Sequence, residues 1–181
     1  MCTDIPPSRS SSPTEEIAVR INGEEISAEV EPRLKLSDFL RRRGYHGVRV
    51  GCEHGVCGAC TVLMNGKTTK SCLTYAVQAD DRAITTVEGL SNLTDDGDSG
   101  LHPIQRAFHE EHALQCGFCT SGFVMATAEL LSDNADPDHD EIEQGLADNI
   151  CRCTGYQNIY DAVKRAADYS EDSLEMDGDD T

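Results

Sequence analysis

The sequence predicts an α+β protein, a small sheet domain of mixed strand and helix followed by a bundle of four helices, and three observations carry that expectation. Two Asn-Gly dipeptides, Asn22-Gly23 and Asn65-Gly66, sit between short runs of strand-forming residues, the strongest local sign of a β-hairpin. Beyond residue 103 that pattern disappears, and four segments return apolar residues at three- and four-residue steps. Between these two textures lies "SNLTDDGDSGLHP", rich in turn residues and acids, which reads as an exposed linker over residues 91–102.

Taken in order, residues 1–14 carry Pro6, Pro7, Pro13 and four serines and are expected to be disordered. The first domain spans 15–90. "IAVRING" and "EEISAEV" form its first hairpin and "TVLMNGKTTK" its second. Between them "LSDFLRRRG" predicts a helix with Ser37 as N-cap, Leu36 and Leu40 packing together, and Gly44 beyond the C-terminus. Arg41, Arg42 and Arg43 then fall in its last turn, where cations complement the helix macrodipole. The second domain spans 103–170, with helices expected in "PIQRAFHEEHAL", "TSGFVMATAELLS", "DHDEIEQGLADN" and "IYDAVKRAADY". Residues 171–181, with six acids and no base, read as a disordered tail.

The 33 acidic residues against 15 basic give a net charge of −18, which repels phosphate and argues against a nucleic-acid partner. Asp-rich, Lys-poor surfaces suit solvation at high salt, where charges are screened over about 3 Å at 1 M. An ordinary acidic surface with acidic tails gives the same composition. No apolar run approaches the roughly 18 residues of a membrane span, and no apolar secretion signal opens the chain. A reducing cytoplasm is the expected setting, and there clustered cysteines are metal ligands or catalytic groups more often than disulfides.

The nine cysteines divide along the domain boundary. Cys52, Cys57 and Cys60 follow a C-x4-C-x2-C spacing, with Cys72 just after the second hairpin, which is the plant-type [2Fe–2S] pattern. Two irons need four thiolates, and three of them close in sequence need a loop that wraps the cluster, a freedom supplied by Gly51, Gly55 and Gly58. In the second domain Cys116 and Cys119 form a C-x2-C, and Cys151 and Cys153 a C-x-C, together a second four-thiol set held near helix starts. Zinc is an alternative at either site, and His109 and His112 extend the C-x2-C to an H-x2-H…C-x2-C set. A redox dithiol is another, although such pairs open a helix after a strand, whereas this one is surrounded by helices. Cys2 stands alone near the N-terminus.

"GCEHGVCGACTV" at 51–62, "SCLTYA" at 71–76, "HPIQRAFHEEHALQCGFCTSGF" at 102–123 and "NICRCTGYQNI" at 149–159 closely resemble the small iron–sulfur subunit of the molybdenum hydroxylases. That family includes xanthine dehydrogenases, aldehyde oxidoreductases and aerobic carbon monoxide dehydrogenases. The resemblance implies an N-terminal β-grasp, plant-type ferredoxin-like domain and a C-terminal four-helix domain, each holding one [2Fe–2S] cluster. It also implies an oxidoreductase subunit whose catalytic groups lie on other chains, a large subunit with the molybdenum cofactor and a medium subunit with FAD. On that reading Cys52, Cys57, Cys60 and Cys72 ligate one cluster and Cys116, Cys119, Cys151 and Cys153 the other. Gln115 matches a glutamine that lies against the pterin of the molybdenum cofactor, and Cys153 a ligand whose surroundings touch the same pterin. Without the resemblance, Gln115 reads as a helix-end cap. Arg152 takes no assigned role.

Two departures matter. Ser121 stands where the family usually has proline, at a first-turn position that also accepts serine. The filling Glu53-His54-Gly55-Val56 between the first two cysteines gives no support to carbon monoxide as substrate, and no residue in the chain marks another. A stand-alone ferredoxin-type carrier is the competing function, for which the plant-type domain alone would suffice.

Overall fold

The computed structural model describes residues 13–93 and 100–175. Cys2, most of the proline-rich start, the centre of the linker and the end of the acidic tail lie outside them.

Both expected hairpins form. β1 (Glu15–Ile21) and β2 (Glu24–Val30) pair antiparallel from Glu15↔Val30 to Ile21↔Glu24. Asn22 and Gly23 turn between them with φ of 51° and 91°, the left-handed pair a two-residue type I′ turn requires. β3 (Thr61–Met64) and β4 (Lys67–Lys70) repeat the device at Asn65 and Gly66. A strand the sequence does not announce joins them. β5 (Ala83–Thr85) runs parallel to β1 and antiparallel to β3, closing a mixed sheet of order β2-β1-β5-β3-β4. Its three residues are too few to show a period.

α1 (Leu36–Arg42) covers one face of this sheet, with Leu36, Phe39 and Leu40 buried among Ile17, Val19, Ile21, Val62 and Ile84. Burying each such side chain contributes roughly 1.5–3 kcal/mol. Ser37 is not the N-cap. That position is Lys35, without a side-chain cap, and Ser37 lies buried inside the first turn. The free amides are satisfied by backbone instead: Leu36 donates to the Thr74 carbonyl at 2.8 Å and Ser37 to the Ser71 carbonyl at 3.1 Å. The segment carrying Cys72 thereby caps the helix. At the other end Gly44 adopts φ 97° and the Tyr45 amide returns to the Leu40 carbonyl, as the glycine leads one to expect.

Four helices form the second domain: α2 (Pro103–Glu110), α3 (Thr120–Asp133), α4 (His139–Leu146) and α5 (Gln157–Glu175). Phe108, Phe123, Met125, Ile142, Ile159 and Val163 fill their core, joined by Leu63 and Leu90 from the first domain. α2 stops four residues short of its expected end. His112 takes φ 51° and the Ala113 amide closes onto the Phe108 carbonyl, so residues 114–119 are free to turn. α4 likewise ends at Leu146, releasing the approach to Cys151. Asp138 and Glu141 make the reciprocal capping box that starts α4. α5 continues through Glu175, five residues into the span read as a tail, where Glu171, Leu174 and Glu175 are good helix formers. Among the described residues no helix is long and apolar enough to cross a membrane.

Candidate metal centres

The structure brings the first four cysteines together at the end of the sheet domain. Cys60 and Cys72 are buried, Cys52 and Cys57 half-buried. Cys60 immediately precedes β3, and its carbonyl accepts the Ser71 hydroxyl at 2.7 Å, tying it to the neighbour of Cys72. The wrap between them depends on glycine at two points. A Cβ on Gly55, at φ 75°, would meet Leu73 Cδ1 at 2.3 Å, and one on Gly58, at φ 71°, would meet the Asp148 carbonyl at 2.5 Å. Backbone amides of His54 and Cys57 bring the Cys52 thiol down to about 6, while burial and the adjacent Cys60 thiol push Cys72 up to about 11.

The second set is built from two turns that meet between helices. Cys119 is the N-cap of α3, and Cys116 lies in the turn that the early end of α2 releases. Cys151 and Cys153 precede α5. Cys151 is buried and Cys119 half-buried, whereas Cys116 and Cys153 are exposed with sulfurs 3.7 Å apart. Burial pushes Cys119 up to about 12. Cys151 is buried too, yet hydrogen bonds to its sulfur from the Thr154 hydroxyl (3.1 Å) and the amides of Thr154 (3.4 Å) and Cys153 (3.5 Å) hold its thiol below the ordinary value. The Cys151 amide is itself taken by the Tyr156 hydroxyl at 2.9 Å. Tyr156 holds that place in a left-handed backbone (φ 72°), edge-on to Phe123.

In both sets the thiols approach in pairs, Cys52 with Cys57, Cys60 with Cys72, Cys116 with Cys153 and Cys119 with Cys151. All eight are free thiols, and 3.7 Å is far from a disulfide bond of about 2.05 Å. A tetrahedral zinc with bonds of about 2.3 Å draws four sulfurs to roughly 3.8 Å from one another. Among the described residues no three of these sulfurs lie within 4.8 Å of one another. Two pairs, each with one iron to hold and amides aimed at the sulfurs, fit a two-iron core instead. His109 and His112 are exposed near the end of α2 and join no ligand set among the described residues.

The two sites touch. Between the first loop and the C-x-C turn the Ile150 amide donates to the Cys57 carbonyl at 3.0 Å, and the buried Asn149 side chain donates to the Gly58 carbonyl at 3.2 Å. α3 starts against the same loop, since a Cβ on Gly122 would meet that Gly58 carbonyl at 2.2 Å. The Phe118 ring, between Cys116 and Cys119, lies over Gly51 beside the Cys57 sulfur. Thr154, Tyr156 and Asn149 escape a sequence reading because each is an ordinary polar residue until the fold aims it. The sequence "NICRCTGY" holds their one signal, their closeness to the C-x-C pair.

Gln115 is exposed beside Cys116 and has no hydrogen-bond partner among the described residues, so it caps none of their backbone groups. Arg152 is exposed between Cys151 and Cys153. Arg41 spans the α1 end and the following loop, donating to the Val48 carbonyl at 2.8 Å, and Arg43 lies over the Phe39 ring.

Two family models match the chain, a 2Fe-2S iron-sulfur cluster binding domain over residues 19–91 and a [2Fe-2S] binding domain over 86–164. The nicotine 6-hydroxylase small subunit of Paenarthrobacter nicotinovorans is 51% identical over 149 residues, covering 82% of this chain and 87% of that one. Caffeine dehydrogenase subunit gamma of Pseudomonas sp. (strain CBB1) is 45% identical over 86% of this chain and 92% of its own. In structure, quinoline 2-oxidoreductase from Pseudomonas putida 86 superposes with a TM-score of 0.81 at 42% identity, covering 88% of this chain and 97% of the matched chain.

Proposed function

The chain belongs to the small iron–sulfur subunits of the molybdenum hydroxylases, and from that premise we propose that it carries electrons from a molybdenum-cofactor subunit to an FAD subunit. Cys52, Cys57, Cys60 and Cys72 would hold one [2Fe–2S] cluster and Cys116, Cys119, Cys151 and Cys153 the other. When bound, each cluster supplies one-electron chemistry.

The observation that carries this reading is the hydrogen bond from the Ile150 amide to the Cys57 carbonyl. It joins a ligand of one set to the residue before a ligand of the other, so the two thiol sets are linked by a few covalent bonds and one short polar contact. A carrier with one diffusing partner needs no such link, and this disfavours the stand-alone ferredoxin reading. Other residues of the chain pack around that junction: Asn149 and Gly122 lie against Gly58, and Phe118 lies beside Gly51. Gln115, exposed and without a hydrogen-bond partner among the described residues beside the exposed Cys116, would meet a pterin presented by the large subunit.

Copurification with two larger chains, one carrying the molybdenum cofactor and one FAD, is the first test. In that complex Cys57→Ala should abolish reduction of FAD by substrate while the molybdenum centre still accepts electrons; unchanged flavin reduction would refute the path.

A further inference from the structure

We infer that the rim where the end of α1 meets the Cys116–Cys119 turn is the landing surface for an acidic segment of the subunit that covers the helical-domain site, an inference resting on the proposed assembly. Six of the 15 lysines and arginines fall within residues 33–49, where Asp38 is the sole acid, in a chain of net charge −18. Four of them are engaged within the chain: Arg33 with Glu31, Lys35 over Tyr75, Arg41 on the Val48 carbonyl and Arg43 over Phe39. Arg42 and Arg49 are exposed and have no partner among the described residues. Arg42 lines a separate depression with Glu31 and Asp38, so Arg49 is the cation at the rim, where the Glu88 carboxylate is already taken by the Gly47 amide at 2.6 Å.

Arg49 stands between two depressions. One, of about 290 Å³, has Val50 and Phe118 as its apolar walls and Arg41 and His46 as its polar ones. The other, of about 270 Å³, is lined by Leu101 and Leu114 along the start of α3. Leu101, Leu114 and Phe118 are 39%, 39% and 43% exposed, and all three lie in or close to the turn that carries the exposed Cys116.

An apolar floor with a cationic lip suits a segment that buries aliphatic side chains and presents a carboxylate to the Arg49 guanidinium, whose planar fork matches it. A chain of net charge −18 repels an acidic partner on average, so the Arg49 rim favours landing there and speeds arrival. The place also suits the chemistry. A segment seated there shields the exposed sulfur pair of Cys116 and Cys153 from water.

The test uses the assembled complex carrying Arg49→Glu, with Arg20→Glu on β1 as control. Subunit dissociation is measured from about 0.05 to 1 M salt, and the iron content and EPR spectrum of each variant confirm both clusters. The expected result is at least tenfold weaker assembly for Arg49→Glu at low salt, a flatter salt dependence and no change for Arg20→Glu. An Arg49→Glu complex with wild-type dissociation at every salt overturns the surface alone. A wild-type chain that retains no larger subunit overturns both the assembly and the surface. Salt-sensitive dimers of this chain that Arg49→Glu disperses would assign the rim to a second copy and overturn the partner assignment.

Discussion

The backbone carbonyl of Cys57 accepts a hydrogen bond from the Ile150 amide at 3.0 Å, so the ligand loop of the sheet domain and the C-x-C turn of the helical domain are one connected structure. Around that contact Gly58, Gly122 and Asn149 approach too closely for any added side chain. The junction holds both ligand loops, and several consequences can be measured.

Gly122→Ala places a methyl group 2.2 Å from the Gly58 carbonyl, a backbone atom that cannot swing away. Separating the loop from α3 should cost about 1–3 kcal/mol, a fall in Tm of roughly 2–10 °C. Calorimetry of the cluster-loaded protein checks this; an unchanged Tm would show that the junction yields easily.

Thr154→Val removes the hydroxyl that donates to the Cys151 sulfur at 3.1 Å. Hydrogen bonds to ligand sulfur stabilise the more negative, reduced state, so its loss should lower the potential of the helical-domain cluster alone. A bond worth about 0.5–1.5 kcal/mol corresponds to roughly 20–60 mV for one electron. EPR-monitored redox titration reads the shift, and Thr154→Ser should restore the wild-type value.

Gln115→Ala should leave iron content, both EPR signals and Tm unchanged, because its side chain pairs with none of the described residues. Reduction of the clusters by substrate in the complex should slow. A cap would instead announce itself as about 1 kcal/mol of lost stability.

Glu110 on α2 accepts hydrogen bonds from the Tyr169 hydroxyl and Arg165 on α5, which hold its carboxyl below the usual glutamate value. A depressed folded-state pKa gives stability that is present above the unfolded value, about 4.3, and is lost as pH falls through the lower folded one. Glu110→Gln should therefore be less stable than wild type at neutral pH, with the difference closing in acid below about pH 4. Chemical denaturation across pH checks the sign, and a gap that widens in acid would contradict it.

Much of this was written plainly in the sequence, for local reasons. Asn22-Gly23 and Asn65-Gly66 encode their turns because only left-handed residues close a two-residue hairpin, and the spacing of Cys52, Cys57 and Cys60 encodes a wrapping loop. What stayed hidden depends on distant chain. Ser37 is not the cap because it lies inside the first turn, where its amide meets a carbonyl of the segment before Cys72, and β5 is defined by its pairing between β1 and β3. The end of α2 depends on His112 adopting a glycine-like conformation, for which its side chain gives no signal. At the metal centres the ligands were legible and their supports were not, since Thr154 and Tyr156 acquire their roles only when the turn folds beside Cys151.

The central claim is that two adjoining four-thiol sites each hold a [2Fe–2S] cluster, and low-temperature EPR of the reduced protein with iron and acid-labile sulfide analysis tests it most directly. Two distinct signals are predicted, with about four irons and four sulfides per chain for two [2Fe–2S] clusters, Cys57→Ala removing one signal and Cys151→Ala the other. A single signal, or zinc in the helical-domain set, would contradict the account.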